Sequence, residues 1–272
     1  MSAQVIQSNS TPFQSITVDP ITLDIIENAL RNARSEMDAV LFRTAMSPGI
    51  REQHDAFPMI ANHEGKMVVG QFGSFFWGFQ QGYDGTIEEG DVFLTNDPYT
   101  CNGAVSHLND WLMMMPIYID GRLVSWAAMF GHMTDIGGKV PGSLPTDAAQ
   151  VFEEGIQIPP VKIIRNGELN TEILELILRN CRLPDWNRSD FNAIVAALRL
   201  AERRVFEMAN RFGVDELVAA MVEMLDRNKR AMGAILNMVV PEKKQHFEDY
   251  IDDDGMGMGP YKVSCAMWRE GE

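Results

Sequence analysis

Two of the five histidines stand in one local pattern. In "SHLNDW" His107 precedes Asp110 by three residues, and in "GHMTDIGG" His132 precedes Asp135 by the same interval. Neutral imidazole and carboxylate are donors that suit Zn²⁺, Mn²⁺ or Fe²⁺. A set of two imidazoles and one carboxylate (His107, Asp110 and His132) leaves open positions for water or substrate. The competing reading is plain: two buried histidines bonded to backbone, with Asp110 and Asp135 capping turns. His-x-x-Asp is a weak pattern, and spacing alone favours that plainer reading. Asp135 has three chemical roles open, as fourth ligand, as the group orienting His132 or as general base. A turn aspartate opening the Gly-Gly loop is nearly as good a description. Gly137, Gly138, Gly142 and Ser143 follow it, and their backbone N–H groups could face a phosphate or an oxyanion. A merely tight loop is the favoured alternative there. Asp97 in "TNDPY" reads as a turn residue before Pro98.

The segments around these residues decide whether they can meet. Residues 111–119 and 122–130 are apolar runs of strand character, joined by Asp120-Gly121, a strong hairpin signal. Pairing them through that turn folds their far ends together, and those ends carry His107/Asp110 and His132/Asp135. This lifts the metal reading to level terms with its rival. Before them, Asp19-Pro20 supplies an N-cap and a first-turn proline. Leu23, Ile26, Leu30, Ala33, Met37, Val40 and Leu41 recur at spacings of three and four, which predicts a long helix from about 20 to 44. "KMVVGQFG" and "DVFLTND" predict further strands between 50 and 135. Helices are expected over 170–181, from Phe191 to Gly213, and over 214–233, followed by a strand at "YKVSCAMW". The expected fold class is α+β: a long N-terminal helix, an antiparallel β-rich central region and a C-terminal helical segment. Three parts are expected: a flexible arm over 1–18, a catalytic domain over 19–240, and at 241–272 the start of a further β region that looks truncated.

Composition narrows the function. The 272 residues are 46% hydrophobic and 22% charged, ordinary for a globular chain, with a net charge of −15. Clustered lysine and arginine are needed to displace counterions from a duplex, and none is present, so no nucleic-acid partner is expected. Cys101, Cys181 and Cys265 form no CxxC pair, and their number suits a reducing cytoplasm. No basic, apolar leader opens the sequence and no apolar run reaches membrane-spanning length, so no membrane partner is expected. No phosphate-binding glycine loop of the nucleotide-binding kinds occurs. His63 and His246 read as turn and solvated-face residues. The 18 methionines fall mostly on apolar stripes as core filler.

Five stretches together carry a resemblance: "DPITLDIIENAL", "EEGDVFLTNDPY", "SHLNDW", "GHMTDIGGKVPGS" and "EEGIQIPPVKI". In this order they are similar to the hydantoinase B/oxoprolinase family, over nearly all of residues 19–272. That family includes B subunits of ATP-dependent N-methylhydantoinases, part of 5-oxoprolinase, and subunits of acetone and acetophenone carboxylases. The resemblance implies an A-type ATPase partner subunit that phosphorylates the substrate's carbonyl oxygen, and hence a hetero-oligomer. It also implies a divalent metal held by a His-x-x-Asp pair and a later histidine, positions that His107, Asp110 and His132 match. Implied activities are ring-opening hydrolysis of a hydantoin or 5-oxoproline-like amide or, alternatively, ketone carboxylation. Family subunits are considerably longer than this chain, so a third expectation is a truncated, non-catalytic docking module. The aromatic stretch "GQFGSFFWGF" stands where many relatives carry histidine, which would alter substrate choice if it lines the site.

Overall fold

The computed structural model describes residues 12–71 and 75–270. In chain order the elements are α1 (Pro20–Thr44), α2 (Pro48–Arg51), β1 (Ala56–Asn62), β2 (Met67–Val69), α3 (Phe75–Gly82), β3 (Val92–Thr95), β4 (Asp110–Ile119) and β5 (Arg122–His132). They continue with β6 (Val161–Arg165), β7 (Glu168–Leu169), α4 (Thr171–Arg179), α5 (Pro184–Phe212), α6 (Val214–Val239), β8 (Gln245–Ile251) and β9 (Tyr261–Met267). The α+β class is as the sequence predicts. Asp19 accepts hydrogen bonds from the N–H groups of Ile21 and Thr22, Pro20 opens α1, and the predicted stripe from Leu23 to Leu41 faces inward.

Seven strands form one antiparallel sheet in the order β2-β1-β5-β4-β3-β6-β7. α1, α5 and α6 cover one face, over Trp111, Met113, Met115, Ala127 and Met129. α3 covers the other, where Phe76 and Phe79 pack on Leu112, Met114 and Trp126. Successive strand residues point to opposite faces. A strand covered on both sides therefore reads as a continuous apolar run, which is why "WLMMMPIYI" shows no alternation. Pro116 is tolerated because β3 pairs only with Leu112–Met114, so no neighbour on that side asks for its missing N–H. Asp120 and Gly121 take φ of 51° and 71°, as a two-residue hairpin turn requires.

Two helix bounds need correction. α5 begins at Pro184 instead of Phe191, because its first turns face polar partners: Asn187 and Asp190 are fully buried yet carry no apolar signal. α6 runs to Val239, with its last turns in solvent. In residues 12–18, the described part of the expected arm, the Arg122 guanidinium lies 4.1 Å over the Phe13 ring. The rest of the expected arm lies outside the described residues. The aromatic stretch after Gly70 is core on the α3 side, with Phe75, Phe76 and Phe79 buried, and its residues 72–74 lie outside the described residues. Among the described residues no helix is long and apolar enough to cross a membrane.

Candidate metal centre

Register builds the site. Asp110 opens β4 and His132 closes β5, and the two are directly paired. His107 lies in the turn just before, where its carbonyl accepts the Asp110 N–H at 3.3 Å. His107 Nε2 is 3.1 Å from His132 Nδ1 and 3.1 Å from Asp110 Oδ1, and His132 Nδ1 is 3.1 Å from the same oxygen. The three donor atoms thus form a nearly equilateral triangle. Donors about 2.1 Å from one cation sit roughly 3.0 Å apart in octahedral geometry and roughly 3.4 Å apart in tetrahedral geometry. The observed edge falls between, so the residues fit a divalent ion with positions left over for substrate or water.

The protonation pattern supports the same reading. His107 Nδ1 lies 2.9 Å from Ser106 Oγ. In the tautomer that donates this N–H, Nε2 faces the centre as a lone pair. Such partners fix the ring a metal uses. The hydrogen bond to Asp110 raises the His107 pKa, against the opposing effect of burial. Burial pushes the Asp110 carboxyl up, but hydrogen bonds from His107 and His132 and their charges outweigh it and hold the pKa below the usual value. The cluster therefore attracts positive charge, whether a proton or a cation.

Asp55 is a neighbour that the sequence reading missed. β1 flanks β5 on the side away from β4, so Asp55, just before β1, comes beside His132. Its carbonyl accepts the His132 N–H at 3.2 Å, and its carboxylate lies 3.6 Å from His132 Nδ1, partly open to solvent. An aspartate before an apolar run looks like any turn residue, and only the β1–β5 pairing reveals it.

Of the readings open to Asp135, the hydrogen bonds match the turn aspartate that opens the Gly-Gly loop. Asp135 is buried and turned into its own loop. Its carboxylate accepts the N–H groups of Gly137 (2.9 Å), Gly142 (2.8 Å) and Arg182 (3.3 Å), and pairs with the Arg182 guanidinium at 3.2 Å. Burial would raise its pKa, but these donors lower it further. Such a carboxylate is a poor base. Three of the four N–H groups expected to cradle an anion are spent inside the loop: Gly137 and Gly142 donate to Asp135, and Ser143 donates to the Val140 carbonyl. The loop carbonyls of Gly137, Gly138 and Val140 accept from Arg182 instead. Gly138 is glycine because a Cβ would sit 2.5 Å from the Glu153 carbonyl oxygen, at a φ of +77°. The loop is a rigid wall beside the centre, and Arg182, which the sequence reading also missed, is its clamp. Asp97 is the turn residue expected, accepting from Tyr99 and Thr100 N–H and from Gln157.

A sequence profile described as Hydantoinase B/oxoprolinase matches residues 19–272. Caprolactamase subunit beta of Pseudomonas jessenii is 34% identical over 265 residues, 94% of this chain and 45% of that protein. The crystal structure of ATP-dependent caprolactamase from the same organism superposes with a TM-score of 0.83 at 32% identity, covering 93% of this chain and 45% of that one. Nucleotide-free acetone carboxylase shares the fold, with a TM-score of 0.78 at 18% identity over 86% of this chain and 32% of its own. The chain spans less than half the length of these relatives.

Proposed function

The chain belongs to the Hydantoinase B/oxoprolinase family, and from that premise we propose that it forms the metal-dependent B-type part of an ATP-dependent cyclic amidase. The observation that carries the reading is the convergence of His107, Asp110 and His132 on one point at the end of the β4–β5 hairpin. The substrate class is a small cyclic amide: a lactam, a hydantoin or a 5-oxoproline-like ring. An A-type ATPase partner phosphorylates the amide oxygen, because an unactivated planar amide resists attack. Water adds to the ring carbon and the C–N bond breaks, with the nitrogen taking a proton. The acyl phosphate left behind is hydrolysed by a second water.

His107, Asp110 and His132 would hold a divalent cation, with Zn²⁺, Mn²⁺ and Fe²⁺ all suited to these donors. When bound, it supplies Lewis acidity and lets water ionise near neutral pH. Ser106 fixes the His107 ring. Asp55, open to solvent beside His132, is better placed than Asp135 to accept the proton of the attacking water. The Asp135–Arg182 loop holds the wall of the site. Chemistry takes place in the reducing cytoplasm that the unpaired cysteines suit.

The test combines the chain with its ATPase partner, ATP and a panel of caprolactam, 5-oxoproline and hydantoin, with a parallel arm of ketone and labelled bicarbonate. Ring opening coupled to ADP release, lost in His107→Ala, is the expected result. Label fixed into the ketone, with no amide opened, would assign the chain to the carboxylase branch instead. Neither product, with metal still bound, would leave it a docking module.

A further inference from the structure

The sheet edge that carries the donor triangle holds a further carboxylate. Across this edge the strand order runs β1, β5, β4, β3, β6. Asp55 leads into β1, His132 ends β5, Asp110 opens β4, and Asn96 follows β3. Glu154 belongs to the segment that runs in beside Asn96 before β6. The triangle thus has Asp55 on its β1 side and Glu154 on its β3 side.

Two sets of contacts fix Glu154 there. The Asn96 side-chain amide donates to the Leu108 carbonyl at 2.7 Å and to the Ile156 carbonyl at 2.9 Å. The backbone next to His107 and the backbone two residues past Glu154 therefore meet on one nitrogen. The Ile158 N–H donates to Asn96 Oδ1 at 2.6 Å and holds the same segment. On the other flank the Ile156 N–H donates to the Ile136 carbonyl at 3.0 Å. Gly138 comes so close that a Cβ there would lie 2.9 Å from the Glu154 carbonyl oxygen. Glu154 stands where the His107 turn and the rigid loop after Asp135 come together.

Its side chain differs from its acidic neighbours. Asp97, Asp110, Asp135 and Glu153 each accept hydrogen bonds from side chains or backbone. Glu154 is only partly exposed, and among the described residues its carboxylate has no hydrogen bond and no ion pair. Its charge reaches His107, adding to the larger effects of Asp110 and Asp55 on that ring. A partly buried acceptor without a donor is a cost to the fold that a ligand's N–H can offset.

We infer that Glu154 recognises the ring N–H of the cyclic amide, an assignment that rests on the cyclic-amidase reading above. A lactam ring holds its amide cis, so the carbonyl oxygen and the N–H leave the ring on the same edge. Recognition of that edge needs one group for the oxygen and an acceptor beside it for the N–H. The donor triangle and Glu154 lie side by side in this way. Phosphorylation of the oxygen places positive charge on the N–H nitrogen. A carboxylate alongside stabilises that activated form, and then the ammonium that ring opening releases. Asp55, across the triangle, stays free for the proton of the attacking water. A ketone offers no N–H, so Glu154 also selects an amide over a ketone.

The test uses the Zn²⁺-loaded chain assembled with its ATPase partner, with caprolactam and N-methylcaprolactam as substrates. Glu154→Ala should lower kcat/KM for caprolactam about 10- to 100-fold, the worth of a hydrogen bond to a charged group. Wild type should prefer caprolactam over its N-methyl analogue at least about 10-fold, and the variant less than about 3-fold. Zn²⁺ affinity and melting temperature should match wild type, readings that a structural role would move. Undiminished caprolactam turnover by the variant overturns the assignment. So does a loss of turnover that keeps the N–H preference or takes metal affinity with it. A wild-type assembly that opens neither ring sinks the cyclic-amidase reading itself, and this assignment with it, whereas the variant results bear on Glu154 alone.

Discussion

His107 Nε2 and His132 Nδ1 lie 3.1 Å apart across 25 residues of sequence. Nothing local joins them. Ten register pairs between β4 and β5, from Ile119↔Arg122 at the turn to Asp110↔His132 at the open end, set that distance. A one-residue slip would flip every side chain to the other face of the sheet, and both faces here are packed. The donor triangle is thus held by the apolar core on either side of the hairpin.

The centre should therefore bind metal without help from folding around it. Zn²⁺ or Mn²⁺ at about 100 times its Kd should raise the unfolding free energy of the wild-type chain by about 2.7 kcal/mol. His132→Ala should lose this increment while melting like the metal-free wild type. Equal metal-induced stabilisation of the variant, measured by thermal denaturation with and without chelator, would show that the triangle is not the binding site.

Asp135 should act through stability. Asp135→Asn leaves the Arg182 guanidinium facing a neutral partner and weakens the hydrogen bonds that the carboxylate accepts from three backbone N–H groups, costing roughly 2–3 kcal/mol at pH 7. The folded-state pKa of Asp135 is depressed, so its contribution is complete above the unfolded value of about 3.9 and fades as pH falls through the lower folded value. Urea titrations at pH 7, 5 and 3 should show the gap between wild type and variant intact at pH 5 and shrinking at pH 3. A gap that stays constant would mean the ionised carboxylate is not its source.

Asp190 ties the helical layer to the site. It is fully buried on α5 and accepts the N–H groups of Met46 (2.5 Å) and Ser47 (3.2 Å) between α1 and α2. Gly49 of α2 in turn faces the His132 ring. Asp190→Ala removes the acceptor of the buried Ser47 N–H and of the half-buried Met46 N–H and should cost about 2–3 kcal/mol. It should also weaken metal binding about 10-fold, comparable to losses of supporting partners elsewhere. Calorimetric titration of a variant with normal affinity would break this link between layer and site.

The thiols should differ sharply. Cys181 is buried and its pKa is pushed up to about 11, chiefly by burial. Burial also raises Cys101, whereas Cys265 is exposed on β9. Thiolate is the reactive form, so iodoacetamide at pH 8 should add one label per native chain, at Cys265. Rapid labelling of Cys181, read by peptide mass, would contradict its placement beneath the glycine loop.

Patterns of short range came through the sequence with little loss. The Asp19 cap and the stripe from Leu23 to Leu41 specify α1, because a helix satisfies its own backbone and shows its buried face every three or four residues. Asp120-Gly121 specifies the hairpin turn, because few residues accept positive φ. From these follow the antiparallel pairing and the meeting of His107, Asp110 and His132. The sequence could not reveal the first turns of α5, whose inward residues Asn187 and Asp190 are polar and are buried only because loop backbones come to meet them. It could not separate Asp55 from a turn residue or pair Asp135 with Arg182. A carboxylate's partner is set by which strands and loops lie adjacent, and that adjacency is a product of long-range packing. Local chemistry determined which groups could bind a cation, and tertiary structure decided which aspartate faces the site and which is spent on holding its wall.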